Sequence, residues 1–214
     1  MLGNKKHRSA YGLSDQTHLY LCPQTLFKFH PGFDQIMGDI LRGDPKGQIV
    51  LLEGNLPYLA TLLRQRLLRS IPDVAHRVTF LPPQSQPDFM NLLEIADVML
   101  DIPHFNGMNS TLEAFSVGTP VVTLPGQLQR TRHGYGMYRK MGISDCIAEN
   151  DAHYGKICLR LANDPAFREE VRAKILAKSF LLYEDENVVA EFSRFFQDIT
   201  SSMKNYNLPN YGKN

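Results

Sequence analysis

The chain alternates short apolar runs with longer stretches in which apolar residues recur every three or four positions. The short runs predict buried parallel strands at residues 18–22, 48–52, 77–81, 96–101 and 121–124. The longer stretches predict helices, as at residues 31–43, where Phe33, Ile36, Met37, Ile40 and Leu41 share one face. Strands that alternate with helices specify a parallel sheet covered on both faces. The predicted fold class is therefore α/β, a Rossmann-like lobe.

The rest of the pattern sets the predicted limits of this lobe. A short last strand is expected at residues 143–148. Further helices are expected at residues 56–69, 88–95, 138–141, 151–163, 165–179 and 186–199. Asp164 supplies an N-cap before Pro165, and Arg64, Arg66 and Arg69 are expected to form a solvated helix face. We expect a flexible lead-in at residues 1–16, the lobe at 17–199 and a frayed tail at 200–214.

Composition argues against several classes of protein. A net charge of +1, without a dominant basic stripe, argues against a nucleic-acid binder. No run approaches the roughly 18 apolar residues of a membrane helix, and the N-terminus lacks a secretory apolar core. Cys22, Cys146 and Cys158 lack metal-ligand or redox spacing and indicate buried thiols in a reducing compartment. We therefore expect a cytoplasmic protein that binds neither nucleic acid nor membrane.

A polar segment separates the fourth and fifth predicted strands. The strand ends near Asp101, the chain breaks at an Asn-Gly turn, and a helix restarts with Asn109 or Ser110 at its N-cap. In open parallel sheets, ligands lie outside the carboxyl ends of the strands, where a helix N-terminus favours phosphate. This segment is therefore a candidate binding site.

The residue types at this helix fit a nucleotide diphosphate. Asn109, Ser110 and Thr111 would place a carboxamide and two hydroxyls beside the phosphates. Glu113, expected in the first turn, can accept hydrogen bonds from a ribose diol. An ordinary capped helix after an Asn-Gly turn would show the same pattern. Spacing alone therefore does not decide between a nucleotide-binding site and an ordinary helix start.

The proline-rich loop at residues 82–87 follows the third predicted strand and should line the same cleft. Its restricted backbone could present carbonyl and N–H groups to the flat edge of a base. Other nucleotide and catalytic motifs are absent from the sequence: there is no Gly-x-Gly-x-x-Gly after the first strand, no Walker lysine motif and no Gly-x-Ser-x-Gly elbow. A dinucleotide oxidoreductase is therefore poorly supported.

The segment from Leu100 to Gly126, LDIPHFNGMNSTLEAFSVGTPVVTLPG, closely resembles the donor-binding region of the O-linked N-acetylglucosamine transferase and SPINDLY family. The likeness rests on the Asn-Gly turn, the polar run, the acidic residue and the Gly-Thr-Pro-Val-Val-Thr-Leu-Pro-Gly end. It extends back to Leu26-Phe-Lys-Phe-His-Pro31 and covers about residues 21–197.

The resemblance implies that this chain is the C-terminal, donor-binding half of a two-lobed transferase of the GT-B type. Such an enzyme moves N-acetylglucosamine from UDP-N-acetylglucosamine to Ser or Thr hydroxyls of proteins, with inversion and without a required metal or cofactor. Acceptor proteins would bind through an N-terminal lobe and helical repeats. No 34-residue repeat is present here, so we expect a fragment that binds a nucleotide sugar and transfers little by itself.

The resemblance also implies roles for individual residues. Lys28 would be catalytic, because it would neutralise charge on the departing nucleotide. Pro83, Gln84 and Gln86 would hold the base, and Arg132 matches an arginine that recurs at this point in the family. Animal members carry a lysine where Gln86 falls, which leaves the identity of the base open.

Three alternatives remain open on the sequence. SPINDLY-like members use a fucosyl donor on GDP, which would change both the sugar and the base. A non-catalytic nucleotide-binding or interaction module would need no second lobe. A nucleotide-sugar epimerase shares the two-lobed plan and would need a catalytic acid or base from the cleft.

Overall fold

The strands form one parallel sheet at the centre of the molecule. The computed structural model describes residues 6–204, and within them five strands lie in the order β3-β2-β1-β4-β5. Their bounds are β1 His18–Cys22, β2 Gly47–Leu52, β3 Val78–Leu81, β4 Val98–Leu100 and β5 Val121–Val122. Most strand residues are buried, as expected for a sheet with helices on both faces, and the interior of the edge strand β3 is partly buried. The α/β, Rossmann-like prediction is confirmed.

Helices connect the strands and complete the fold after β5. The described helices are α1 Pro31–Gly43, α2 Pro57–Ser70, α3 Gln86–Ile95, α4 Asn109–Ser116, α5 His133–Met141, α6 Asp151–Asn163, α7 Pro165–Lys178 and α8 Glu186–Lys204. Not one of these described helices has the length and apolar character needed to cross a membrane.

Local sequence signals explain where several helices begin and end. The Asp164 carboxylate accepts a hydrogen bond from the N–H of Phe167 at 3.0 Å, and Pro165 stands at the first position of α7. This confirms the predicted start of α7. α5 ends at Gly142, whose φ of 64° lies in the left-handed region that glycine adopts without steric cost.

Two predicted elements at the end of the lobe differ from the structure. The expected strand at residues 143–148 is reduced to one bridge between Thr123 and Ile147, because residues 144–147 form a turn. The last helix runs on to Lys204, past the expected end at residue 199. The Thr200 hydroxyl donates to the Phe196 carbonyl at 2.9 Å, so this residue is accommodated within the helix. The rest of the predicted tail, residues 205–214, lies outside the described residues.

The lead-in, which we expected to be flexible, makes hydrogen bonds to the lobe from residue 6 onward, while most of its side chains stay exposed. A short 3-10 helix spans Arg8–Tyr11. The Arg8 guanidinium donates to the carbonyl of Ile95 at 2.8 Å, to the carbonyl of Thr17 at 2.6 Å and to the carboxylate of Asp97 at 2.9 Å. These partners tie the segment to the edge of the sheet. Residues 1–5 of the predicted lead-in lie outside the described residues.

The solvated-face prediction for α2 is wrong at Arg66. Its guanidinium donates to both carboxylate oxygens of Asp34 at 2.8 and 2.9 Å, and Asp34 is only 1% exposed. A third donor nitrogen lies 3.0 Å from the carbonyl oxygen of Phe29. Arg66 therefore joins α2 to α1 and to the loop after β1, whereas Arg69 is exposed.

We predict that Arg66→Leu lowers the free energy of unfolding by about 3 kcal/mol, because it leaves the Asp34 carboxylate buried without its cation. The control is Arg69→Leu on the same helix, for which we expect a change below about 0.5 kcal/mol. Urea unfolding of the two variants measures the difference. Equal destabilisation by the two substitutions would contradict a structural role for the Arg66 ion pair.

Candidate functional site

The strand order creates a crevice at the carboxyl edge of the sheet. β1 and β4 are neighbours, with β2 and β3 on one side and β5 on the other. The strand order reverses between β1 and β4, and in open α/β sheets such a point forms the ligand-binding crevice. The loop after β1 and the loop between β4 and α4 therefore line a candidate binding site.

A chain of hydrogen bonds crosses this crevice. The ammonium group of Lys28 donates to the side-chain carbonyl of Gln24 at 3.0 Å, and the Gln24 amide donates to the Ser110 hydroxyl at 2.6 Å. Gln24 is only 4% exposed, so its orientation is restrained. The structure thus brings together Ser110, which was predicted to hold the diphosphate, and Lys28, which was predicted to neutralise charge on the departing nucleotide.

Gln24 lies in the candidate site between Lys28 and Ser110, and the sequence patterns did not identify it. It lies two residues after β1, at the carboxyl edge of the sheet where the binding loops were expected. This position after a strand was the only feature of the sequence that could have marked Gln24 as a candidate site residue. A glutamine in a loop carries no motif of its own, and its two partners become evident only in three dimensions.

Lys28 is held in the crevice as a partly buried cation. It ends a short 3-10 helix, Leu26–Lys28, and its ammonium nitrogen lies 4.6 Å from the centre of the Phe105 ring. The same nitrogen lies 3.5 Å from the carbonyl oxygen of Asn106. Burial lowers the pKa of Lys28, and the nearby negative charge of Asp101 acts in the opposite direction.

α4 begins at Asn109 with Met108 at the N-cap, which corrects the predicted cap at Asn109 or Ser110. No side chain caps the helix, so its first N–H groups remain available to a ligand. The Thr111 side chain is fully buried and donates to the Gly107 carbonyl at 3.1 Å. Asn109 and Ser110 thus offer side chains at this terminus, while the Thr111 hydroxyl points into the protein.

The residues predicted to bind ribose and base meet on the other side of α4. The side-chain amide of Gln86 donates to the Glu113 carboxylate at 2.8 Å, and both groups lie near the surface. Glu113 stands in the second turn of α4, so the first-turn prediction is wrong by about one residue, because the helix starts at Asn109. The contact places Gln86 next to Glu113, the residue predicted to bind the ribose.

The loop after β3 is shorter than predicted. α3 begins at Gln86 because the Ser85 hydroxyl caps it and accepts from the N–H of Asp88 at 3.3 Å. Gln84 turns back on the loop and donates to the Pro82 carbonyl at 2.7 Å. Pro83 is exposed. The loop therefore presents a rigid, proline-restricted surface beside Glu113.

Arg132 lies on another side of α4 from Gln86. Its guanidinium donates to the Gly126 carbonyl at 2.8 Å and lies 4.6 Å from the centre of the Tyr135 ring. It lines a cavity of about 670 Å³ that also includes Met108, Leu112 and residues of α5. In the described part of the chain, no hydrogen bond joins Arg132 to Lys28 or Glu113.

A second cavity, of about 710 Å³, opens among the loops after β1, β4 and β5. His30 and His104 stack within it, with ring centres 3.9 Å apart. Burial lowers the pKa of His104, and the adjacent His30 acts in the same direction. The described residues contain no group of three or more His, Cys, Asp or Glu side chains arranged for a metal ion.

Two buried polar residues belong to the loop between β4 and α4 that lines the crevice. Asp101 is fully buried and accepts hydrogen bonds from the N–H of Gly107 and from the Thr123 hydroxyl, each at 2.8 Å. Burial raises the pKa of Asp101 to about 7, while these donors and the charge of Lys28 limit the rise. Asn106 is also buried and donates to the Ile102 carbonyl at 2.9 Å.

Residues 5–184 match the family described as glycosyl transferase family 41. Among characterised sequences, the chain is 27% identical over 154 residues to a protein of Hordeum vulgare named as the probable UDP-N-acetylglucosamine–peptide N-acetylglucosaminyltransferase SPINDLY. The match covers 70% of this chain and 16% of that protein. The chain thus spans less than a fifth of this relative's length.

Two solved structures show the same fold at low identity. A mutant of the Thermobaculum terrenum O-GlcNAc transferase has a TM-score of 0.77 and 22% identity, covering 86% of this chain and 36% of that one. The UDP-GlcNAc 2-epimerase of Neisseria meningitidis, bound to UDP-GlcNAc, has a TM-score of 0.56 and 16% identity, covering 83% of this chain and 46% of that one.

Each of these structures contains more than this one lobe, in agreement with a single Rossmann-like unit of a GT-B protein. At such low identity, structural similarity alone establishes only the fold. The family match covers most of the chain and establishes the relationship. The chain belongs to glycosyl transferase family 41.

Proposed function

We propose that this chain is the donor-binding lobe of a glycosyltransferase that moves N-acetylglucosamine from UDP-N-acetylglucosamine to Ser or Thr hydroxyls of proteins. The observation that carries the proposal is the hydrogen-bonded series Lys28, Gln24 and Ser110 at the uncapped start of α4. A cation, a hydroxyl and free helix N–H groups at one point suit a diphosphate. The sequence relatives are named as transferases of N-acetylglucosamine to peptides, which suggests the sugar and the acceptor class.

The diphosphate would lie over the first turn of α4. Asn109 and Ser110 would contribute side-chain donors, and Thr111 would contribute its backbone N–H, since its hydroxyl is engaged with Gly107. Lys28 would supply positive charge from the neighbouring loop. The nucleotide's negative charge would thus meet both a helix dipole and an ammonium group.

The nucleoside would extend toward α3. Glu113 would accept hydrogen bonds from the ribose diol, and the exposed loop with Pro83 and Gln84 would hold the base. Gln86 already contacts Glu113, so its amide is close enough to orient the carboxylate as well as to contact the nucleoside. Arg132 would approach the sugar or phosphates from the cavity beside α5.

The reaction proposed is direct displacement with inversion. The acceptor hydroxyl oxygen forms a bond to the anomeric carbon of the sugar and loses its proton to water, while the bond from that carbon to the β-phosphate oxygen breaks. UDP departs with the electron pair and with increased negative charge. Lys28 and the start of α4 would stabilise that charge as it develops, which is where electrostatic stabilisation lowers a barrier.

The acceptor protein would be bound by parts of the enzyme beyond this lobe. This chain spans about a sixth of the SPINDLY relative, so acceptor binding and turnover are properties that we assign to the larger protein. We also propose a cytoplasmic location, which the three free, buried cysteines favour because thiols persist in reducing compartments.

The epimerase alternative has a specific observation in its favour, since a UDP-GlcNAc epimerase shares this fold. Both proteins would bind the same nucleotide sugar, and they differ in what happens to it. Epimerisation leaves the sugar on UDP, whereas transfer releases UDP. A GDP-linked donor and a non-catalytic binding module are the remaining alternatives.

We predict that isothermal titration calorimetry of this chain detects saturable binding of UDP, with weaker binding of GDP. Lys28→Ala and Glu113→Ala are each expected to weaken UDP binding by about tenfold, because each removes a charged hydrogen-bonding partner. Lys156→Ala and Glu169→Ala are matched controls on exposed positions of α6 and α7 and should bind like the unmodified chain.

The outcomes of this titration separate the alternatives. Preference for GDP would favour the fucosyl branch. Binding of neither nucleotide would contradict the proposed donor lobe. If UDP binds, incubating the larger protein with UDP-N-acetylglucosamine and an acceptor distinguishes transfer from epimerisation, since only transfer places the sugar on the acceptor as UDP is released.

We also predict that Gly107→Ala reduces the free energy of UDP binding by more than it reduces the free energy of unfolding. A Cβ atom at this position would lie 2.3 Å from the Gln24 amide nitrogen and 2.5 Å from the Ser110 oxygen, so it would separate those two groups. Gly155→Ala is the control, because its added Cβ would have no atom within 4 Å apart from its chain neighbours and the backbone of its own helix. Calorimetry and urea unfolding measure the two effects, and unchanged UDP affinity in Gly107→Ala would contradict the assigned geometry.

A further inference from the structure

Asp101 is a buried carboxylate to which the proposed reaction assigns no role. It follows β4 directly and has no exposed surface. In the described part of the chain its side-chain partners are backbone N–H groups and a hydroxyl, and no cation bonds to it directly. A buried carboxylate without a direct cation is unfavourable, so its presence behind the crevice calls for an explanation.

The two carboxylate oxygens hold two separate segments. One oxygen accepts from the N–H of Gly107, which precedes the N-cap of α4, and the other accepts from the hydroxyl of Thr123, just after β5. The Gly107 carbonyl in turn accepts from Thr111 in the first turn of α4. Asp101 therefore connects the end of β4 to the start of the helix that offers its N–H groups to the diphosphate.

The backbone of Asp101 is fixed as well. Its N–H donates to the Val122 carbonyl at 3.1 Å, and its carbonyl accepts from the Tyr154 hydroxyl at 3.0 Å. The residue is thus held by β5 and α6 while its side chain holds the loop. A carboxylate fixed in this way can restrain the loop more strongly than one on a mobile segment.

We propose that Asp101 is the positioning residue of the diphosphate site, because its carboxylate fixes Gly107 and hence the place of Ser110 relative to Lys28. This inference rests on the proposed function, since it assumes that the crevice binds a nucleotide diphosphate. Asp101 itself is buried beneath the loop and acts on the donor through Gly107.

The charge of Asp101 makes donor binding depend on pH. The titratable groups that interact with Asp101 are Lys28, Cys22, Tyr138 and Tyr154. Burial raises the pKa of Cys22 and of both tyrosines far above neutrality, so these three remain uncharged. A protonated Asp101 keeps both contacts, because its O–H can donate to the Thr123 oxygen. Ionised Asp101 adds a negative charge behind a dianionic ligand and opposes its binding.

The test is the affinity of the full chain for UDP-N-acetylglucosamine, whose diphosphate keeps a constant charge near neutral pH. Asp101→Asn retains an acceptor for Gly107 and a donor for Thr123, so at pH 8 we expect it to bind at least as tightly as the unmodified chain. Asp101→Ala removes both contacts and should weaken binding by about tenfold or more.

If Asp101→Ala does not fold, Thr123→Val is a less disruptive substitution that removes only the hydrogen bond between the Thr123 hydroxyl and Asp101. It removes one of the two contacts and should weaken binding by about threefold to tenfold. Thr119→Val is the matched control, because Thr119 is equally buried and donates to the Leu93 carbonyl, which lies outside the crevice loops. We expect comparable destabilisation of the fold by both valine substitutions, with loss of affinity only for Thr123→Val.

The pH profile is a readout that a purely structural role would not change. Asp101 has a pKa of about 7 in the folded chain, so the affinity of the unmodified chain should fall as pH rises from 6 to 8. Asp101→Asn should show no such fall. The positioning role is overturned if Thr123→Val and Thr119→Val bind alike, or if Asp101→Asn loses as much affinity as Asp101→Ala. Failure of the unmodified chain to bind would instead overturn the proposed function on which the inference rests.

Discussion

The hydrogen bond between Gln24 and Ser110 joins the two loops on which the rest of the site depends. It forms because β1 and β4 are neighbours in the sheet although two strands separate them in sequence. Lys28 adds a charge to one end of this contact, and the uncapped start of α4 adds free N–H groups at the other. The proposed binding site is therefore a consequence of strand order, as in other open parallel sheets.

The fold was largely predictable because buried strands and amphipathic helices follow from the spacing of apolar residues. β1 and α6 lie where the pattern places them, at His18–Cys22 and Asp151–Asn163. The expected last strand was not formed, because apolar residues around Ile147 also suit a buried turn. Arg66 was misassigned for a related reason: a helical pattern shows which face is polar and does not show whether a buried carboxylate such as Asp34 lies opposite.

The site was predictable only where it carries a motif. Asn109, Ser110 and Glu113 belong to a recognisable segment, and the structure places them around the start of α4. Gln24 and Asp101 contact partners distant in sequence, Ser110 and Thr123, and neither residue type is unusual at its position. Spacing also could not show that the Thr111 hydroxyl is already engaged, since that depends on which way the helix faces. The sequence thus did not predict the residues that hydrogen-bond to the motif segment from outside it or from beneath its loop, Gln24 and Asp101.

A crystal structure of this chain with UDP bound is the most direct test of the proposed donor site. We expect phosphate oxygens within hydrogen-bond distance of the first N–H groups of α4, Ser110 and Lys28, with the ribose at Glu113. A well-ordered UDP in the cavity beside Arg132, with the crevice between β1 and β4 empty, would contradict it.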